Sequence, residues 1–244
     1  DLAANLGEVT RASGNLTIDA FGFLQVSGAL ALNKSTGSVK LGDLASTTGV
    51  NEAADVSVNV LTIGGTGLSA FAGVGYSGFD SAGVPNSGAT GLALSGVSFG
   101  LALMSDTTDL TRKWTTLQAT AASAGFVGMG DDLVVSATNV SVALNQASVG
   151  VTNRAVVDYG VGKTVLTVAT GASSYRTLDL DGTKGELLEA SGVLNVNVFG
   201  FVALTGSMAL SKSSKTIKLG DLASTPGVNE SADVSVNVLT IGGT

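Results

Sequence analysis

LNVNVFGFVALTGSMAL, Leu194 to Leu210, alternates apolar with small or polar residues without a break. Leu194, Val196, Val198, Gly200, Val202, Leu204, Gly206, Met208 and Leu210 share one parity, and in an extended chain one parity is one face. The pattern also occurs earlier, as LTIDAFGFLQVSGALAL over Leu16–Leu32. Both stretches belong to a longer repeat. Residues 1–66 align without a gap onto 179–244, an offset of 178, with about three-fifths of positions identical. GDLAST at Gly42–Thr47 returns at Gly220–Thr225, and ADVSVNVLTIGGT at Ala54–Thr66 returns at Ala232–Thr244. Residues 1–178 therefore read as one complete repeat unit and 179–244 as the first third of the next. With Asp1 where a methionine would stand, the chain reads as an excerpt from a longer tandem array.

Helical periodicity is hard to find. The segment 107–124 comes nearest, and its Thr-rich run around Trp114 favours a strand. The chain is expected to be all-β. A smaller pattern recurs inside the unit, where the apolar parity slips by one at Gly67, Gly96, Ser123 and Asn139. Such residues tolerate the bend or positive φ of a corner, so two short strands joined by a corner suggest stacked coils. The expected architecture is a β-solenoid with loop insertions. The alternative is a run of tandem β-sandwich domains, which the long alternation at Leu194–Leu210 favours. Loops 73–91, 105–113 and 149–164 gather Gly, Pro, Asp and Arg and are placed outside the β core.

Composition narrows the function. With 44% apolar residues and 34 glycines the chain can bury a core, while 5% aromatic and 13% charged residues suit narrow interiors of small side chains. It has no cysteine and no histidine, which removes disulfides, thiolate chemistry, the commonest metal ligand and the commonest general base. A net charge of −7 argues against nucleic acid, whose phosphates call for clustered Lys and Arg. No run of about 18 apolar residues offers a membrane span, and no signal peptide is present in this stretch. The acidic, Gly/Ser/Thr/Val-rich balance fits a secreted protein at a bacterial surface.

Motifs with chemical associations fare poorly. Gly73-Val-Gly75-Tyr-Ser-Gly78 has dinucleotide spacing but is followed by Phe-Asp-Ser-Ala-Gly-Val-Pro, which will not start the helix that receives a pyrophosphate. Gly96-Val-Ser98-Phe-Gly100 has the form of a nucleophile elbow, and no histidine exists to take the serine proton. Gly160-Val-Gly162-Lys163-Thr164 resembles a phosphate loop, but Val157 stands where its first glycine belongs. Asp179-Leu-Asp181-Gly182-Thr-Lys-Gly185-Glu186 is the one credible metal site, with Asp179, Asp181 and Glu186 as oxygen ligands for calcium. The first copy keeps Asp1, Gly7 and Glu8 but carries Ala3 and Ala4 in place of Asp181 and Gly182, so a β-turn is the simpler reading. Asp106, Asp109, Asp131 and Asp132 read as solvated loop charges. No other cofactor is expected. Phe21, Phe23, Phe199 and Phe201 lie on the parity opposite the leucine series, either as outward anchors for self-association or as a second packed layer.

TLDLDGTKGELLEASGVLNVNVFGFVALTGSMALSKS (Thr177–Ser213), with DLVVSATNVSVALNQAS (Asp132–Ser148), resembles the repeats of very large bacterial secreted and surface proteins of the adhesin or matrix-fibre type. The resemblance implies a structural or adhesive role without catalysis and transfers no residue roles. The chain lacks the serial GGxGxDxx pattern of calcium-binding toxin repeats. The expected function is a structural unit of an extracellular filament, stalk or matrix fibre, with other copies of the chain as partners in cis and in trans. The alternative is an adhesive module whose loops 73–91 and 149–164 engage a surface glycan. A Thr-x-Thr ladder for ice is missing, and a carboxylate-only glycosidase is the remaining enzymatic option.

Overall fold

A computed structural model describes residues 10–42, 55–130, 132–148, 154–218 and 233–244. The chain is all-β. In order it forms β1 (Thr10–Ala20), β2 (Leu24–Val39), β3 (Val56–Val74), β4 (Thr90–Asp106), β5 (Lys113–Val127), β6 (Leu133–Ala147), β7 (Leu166–Ala169), β8 (Tyr175–Leu178), β9 (Leu187–Val198), β10 (Val202–Lys218) and β11 (Asp233–Gly243). Nine of these make one sheet in the order β1-β2-β3-β4-β5-β6-β9-β10-β11, every neighbour antiparallel. β1 and β11 end that order, so the sheet is open and not a barrel. The hairpin β7-β8 is a separate two-stranded sheet.

The long alternation at Leu194–Leu210 is a hairpin. β9 stops at Val198, β10 starts at Val202, and the two residues pair. Partners in this register share parity, so the alternation runs through the turn and hides it. Phe199 and Gly200 turn the chain with φ of 50° and 68°. The Gly200 amide donates to Asn197 Oδ1 at 3.1 Å and the Phe201 amide to the Val198 carbonyl at 2.9 Å. Phe21 (φ 59°) and Gly22 (φ 66°) make the same turn between β1 and β2, closed on Asp19 Oδ1 at 2.9 Å. Asn-Gly would be the familiar signature of these left-handed positions. Here a phenylalanine occupies the first of them at a cost of about 1 kcal/mol or more.

The parity slips are β-bulges inside continuous strands and do not divide each strand into two. Gly67 and Gly96 (both φ 59°) and Asn139 (φ 51°) take left-handed backbone within β3, β4 and β6, whereas Ser123 does not. Register shifts fall between Gly65 and Leu68 and between Thr138 and Ser141. An inserted residue reverses the parity of the chain beyond it. The slip in the sequence cancels that reversal, so the aliphatic series stays on one face of the sheet instead of turning a corner.

The opposite face carries the enclosed core. Val39, Val58, Val60, Ala102, Met104, Trp114 and Ala147 of the sheet pack with Ala155, Val156, Val157, Tyr159, Val168 and Leu178. Residues 154–186 thus lie across the sheet as a lid. This corrects the placement of 149–164 outside the core for its described part: Ala155, Val156 and Val157 are at most 1% exposed. Three successive apolar residues among Arg, Asp and Gly are too short a run to show periodicity. Polar anchors hold the lid down. Trp114 Nε1 donates to the Ala155 carbonyl at 2.9 Å, Asn145 Nδ2 to the Val157 carbonyl at 2.8 Å, and Tyr159 Oη to Thr116 Oγ1 at 2.9 Å. The Gly42 amide bonds the Val156 carbonyl and the Asp158 amide the Lys40 carbonyl, tying the lid to the strand end. On the other half of this face the loop 75–89 places Tyr76 against Phe71, ring centroids 5.8 Å apart, with Phe79 edge-on to Tyr76.

Candidate self-association surfaces

Away from the lid, the other face of the sheet is aliphatic. The pairing register lines up Leu32, Ile63, Leu101, Leu117, Leu144 and Leu188 in one row across six strands. Beyond the bulges a second row runs Val26, Ala70, Leu94, Ala124, Ala137 and Leu194, ending on Gly206, with Leu204 pairing Val196 next to it. These are the residues whose parity suggests a buried face. Many are left open to solvent, among them Leu16 (46%), Leu92 (38%), Leu103 (37%) and Leu204 (51%). Charge on this face gathers at one end: Lys34 pairs across strands with Leu61, Lys113 with Ser105, Lys212 with Leu188 and Lys218 with Asp233.

Among the described residues the sheet also has two open edges. β1 is exposed from Thr10 to Asp19, whereas β9, the strand 178 residues later, is mostly half-buried. The difference follows from pairing, because β9 lies between β6 and β10 while β1 has only β2. Gly192 of β9 accommodates the β6 bulge, its missing Cβ lying 3.3 Å from the Thr138 carbonyl; Gly14, its counterpart in β1, has nothing within 4 Å.

The four phenylalanines sit at hairpin tips. Phe21 and Phe23 are 105% and 57% exposed, Phe199 and Phe201 62% and 90%. Both tips fall on the same margin of the sheet, where β3 ends, β4 begins and the Gly73 amide bonds the Phe23 carbonyl at 2.9 Å. The rings are exposed to solvent and form no second packed layer among the described residues.

The calcium candidates have separate partners. Asp179 Oδ1 accepts from Gln118 Nε2 at 2.6 Å. Asp181 caps the turn at Gly182–Lys184, and hydrogen bonds from the hydroxyl and amide of Thr183 hold its carboxyl below the usual range. Glu186 accepts from Arg154 Nη2 at 2.7 Å and from the Ala147 amide at 3.2 Å, so it pins the start of the lid. Among the described residues no group of three or more acidic side chains is placed to share an ion. An ion at Asp179, Asp181 and Glu186 would have to displace Gln118 and Arg154. Millimolar calcium, monitored by thermal melting, is therefore expected to leave the midpoint unchanged; a rise abolished by Asp181→Asn would reverse that expectation. The counterparts Asp1, Gly7 and Glu8 lie outside the described residues, as does Asp131.

The remaining motifs have the following places in the fold. Gly73–Gly78 leads from the end of β3 into the aromatic cluster around Phe71 and is followed by no helix. Ser98 lies within β4 and donates to the Gly65 carbonyl at 3.3 Å. Gly160–Thr164 is a tight turn whose Thr164 hydroxyl reaches the Lys40 carbonyl. Asp106 is not a solvated loop charge: it is 2% exposed at the end of β4. Burial pushes its carboxyl pKa up, but hydrogen bonds from the amide and hydroxyl of Thr108 and the amide of Asp109, with Arg112 alongside, outweigh this and hold it below the usual value. Asp109 and Asp132 are exposed. No helix among the described residues is long and apolar enough to cross a membrane.

Neither a protein-family model, nor a curated protein, nor a solved structure matches the chain, so these surfaces are read from their own residues.

Proposed function

We propose that this chain is a structural repeat of a long secreted bacterial protein, in which successive units add strands to one sheet and build an extracellular filament, stalk or matrix fibre. One observation carries the reading. β9, β10 and β11 are the counterparts of β1, β2 and β3, and they enter the sheet directly beside β6. One repeat thus advances the sheet by six strands, or about 29 Å at a spacing of ~4.8 Å. Growth by nearest-neighbour pairing is how repeat proteins become long. The antiparallel order of successive strands supports one sheet extended from unit to unit. The absence of histidine and cysteine from the chain is consistent with a scaffold.

The test is a chain in which residues 1–178 precede the full 1–244, so that one of its two β1 strands follows a β6. Hydrogen exchange should split the 10–20 segment into two equal populations, one open and one as slow as 188–198. Uniformly fast exchange at 10–20, with 188–198 still protected, would refute a continuous sheet. Longer tandem chains should appear in electron micrographs as ribbons that lengthen by about 29 Å per unit, and compact particles would sink the filament.

A further inference from the structure

We infer that the aliphatic face of the sheet packs against the same face of a second copy of the chain, as a two-fold sheet-on-sheet pair. The inference rests on the structural reading above and names the partner through which such a scaffold associates in trans.

The lid at 154–186 and the loop 75–89 both lie on the other face, so the described parts of the chain enclose one side only. What remains open is too large and too uniform for an ordinary solvent face. Nine strands at ~4.8 Å, each some 15 residues long at ~3.3 Å, give a surface on the order of 40 by 45 Å. Even half of it exceeds the roughly 800 Å² per partner of a standard stable interface, and it is well above the few hundred Å² of apolar patch a monomer exposes. Polar residues on a solvated antiparallel sheet should alternate with the core series. Here the alternate positions feed the lid core on one side while Leu, Ile and Val fill the other.

A second copy is the occupant these features select. Flat rows of branched aliphatics, repeated across strands at fixed spacing, match another sheet with the same rows at about 10 Å separation. The lysines add orientation. Lys34, Lys113 and Lys212 share one end of the face, so a two-fold axis running across the strands places the two lysine ends apart, whereas an axis along the strands would bring like charges together. The face then has a charge-free centre and a polar rim, the usual anatomy of a protein interface.

Sedimentation of the full chain at micromolar concentration should give twice the 24.0 kDa chain mass. The combined variant Leu92→Lys, Leu103→Lys, Leu204→Lys alters three exposed positions on this face and should halve that mass. The fluorescence of Trp114, which is buried on the opposite face, should stay unchanged. A second measurement covers the case in which the variant misfolds. The chain has no cysteine, so Leu204→Cys and Val165→Cys, the latter 83% exposed on the lid, can be compared singly for maleimide labelling. Position 204 should label at least tenfold more slowly, and dilution to the single-chain mass should abolish the difference. Single-chain mass throughout, equal labelling rates, or wild-type binding to phosphatidylcholine vesicles in place of dimers would overturn the pairing. If pairing fails while the two-unit chain still protects 10–20, only the face partner is wrong; the reverse result removes the continuous sheet and leaves the pair.

Discussion

Gly64→Ala should destabilise the protein by about 2–3 kcal/mol, while Gly242→Ala, the same change one repeat later, should be silent or stabilise by up to about 1 kcal/mol. The two glycines have identical sequence surroundings, ADVSVNVLTIGGT in both copies. Their spatial surroundings differ. A Cβ on Gly64 would lie 2.2 Å from the Ala169 carbonyl and 2.9 Å from Val168, because β7 of the lid rests directly on β3 there. A Cβ on Gly242 would meet nothing within 4 Å. Backbone cannot move aside as a flexible side chain can, so the clash must lift the lid or bend the strand. Urea unfolding followed by Trp114 fluorescence reads the difference directly. Equal effects at the two sites would show that the lid does not bear on Gly64.

Trp114→Ala is expected to cost about 3–5 kcal/mol, the range for removing a large aromatic from a core. Trp114 is 3% exposed, packs where the sheet meets Ala155–Val157, and donates the 2.9 Å hydrogen bond that fixes the Ala155 carbonyl. Trp114→Phe separates the contributions. It retains most of the ring volume and removes the indole hydrogen bond to the Ala155 carbonyl, for about 1–3 kcal/mol. Thermal melts by circular dichroism supply the magnitudes, and hydrogen exchange at 154–186 supplies the location. If the alanine variant loosens the lid while β9 stays protected, the lid is a separately removable layer. If all nine strands lose protection together, lid and sheet fold as one unit.

Period-2 alternation and the 178-residue repeat make the β class and the return of β1–β3 as β9–β11 readable in the sequence. The hairpin turns are not, because partners such as Val198 and Val202 share parity and because phenylalanine occupies a left-handed position usually given to asparagine. The slips at Gly67, Gly96 and Asn139 mark real irregularities, but parity alone cannot tell a corner that turns a face from a bulge that preserves it. Asp106 sits among Thr and Asp and reads as polar loop, yet its burial depends on Arg112 and on turn amides that only the fold brings to it. The lid is the largest omission, since Ala155–Val157 is a triplet with no period and the stretches Leu166–Ala169 and Tyr175–Leu178 are too short to show what they pack on. For the surfaces, opposite parity sets the Phe tips apart from the leucine series but leaves two options open, and their exposure follows from their place at the hairpin turns. That the leucine series faces outward could not be anticipated, because alternation says which residues share a face and nothing about what covers it.

The step of six strands has a further consequence, which lies in its evenness. In an antiparallel meander, direction reverses at every strand, so a repeat with an odd count would send each successive unit in backwards. Its lid would then swing alternately to opposite margins, and the aromatic tips would alternate with it. Six reversals restore the heading. Every unit can therefore be the same stretch of sequence performing the same job in the same orientation, with lids along one margin and Phe-Gly-Phe tips along the other. An array built this way has two chemically different sides along its whole length, a polarity that requires no signal beyond counting.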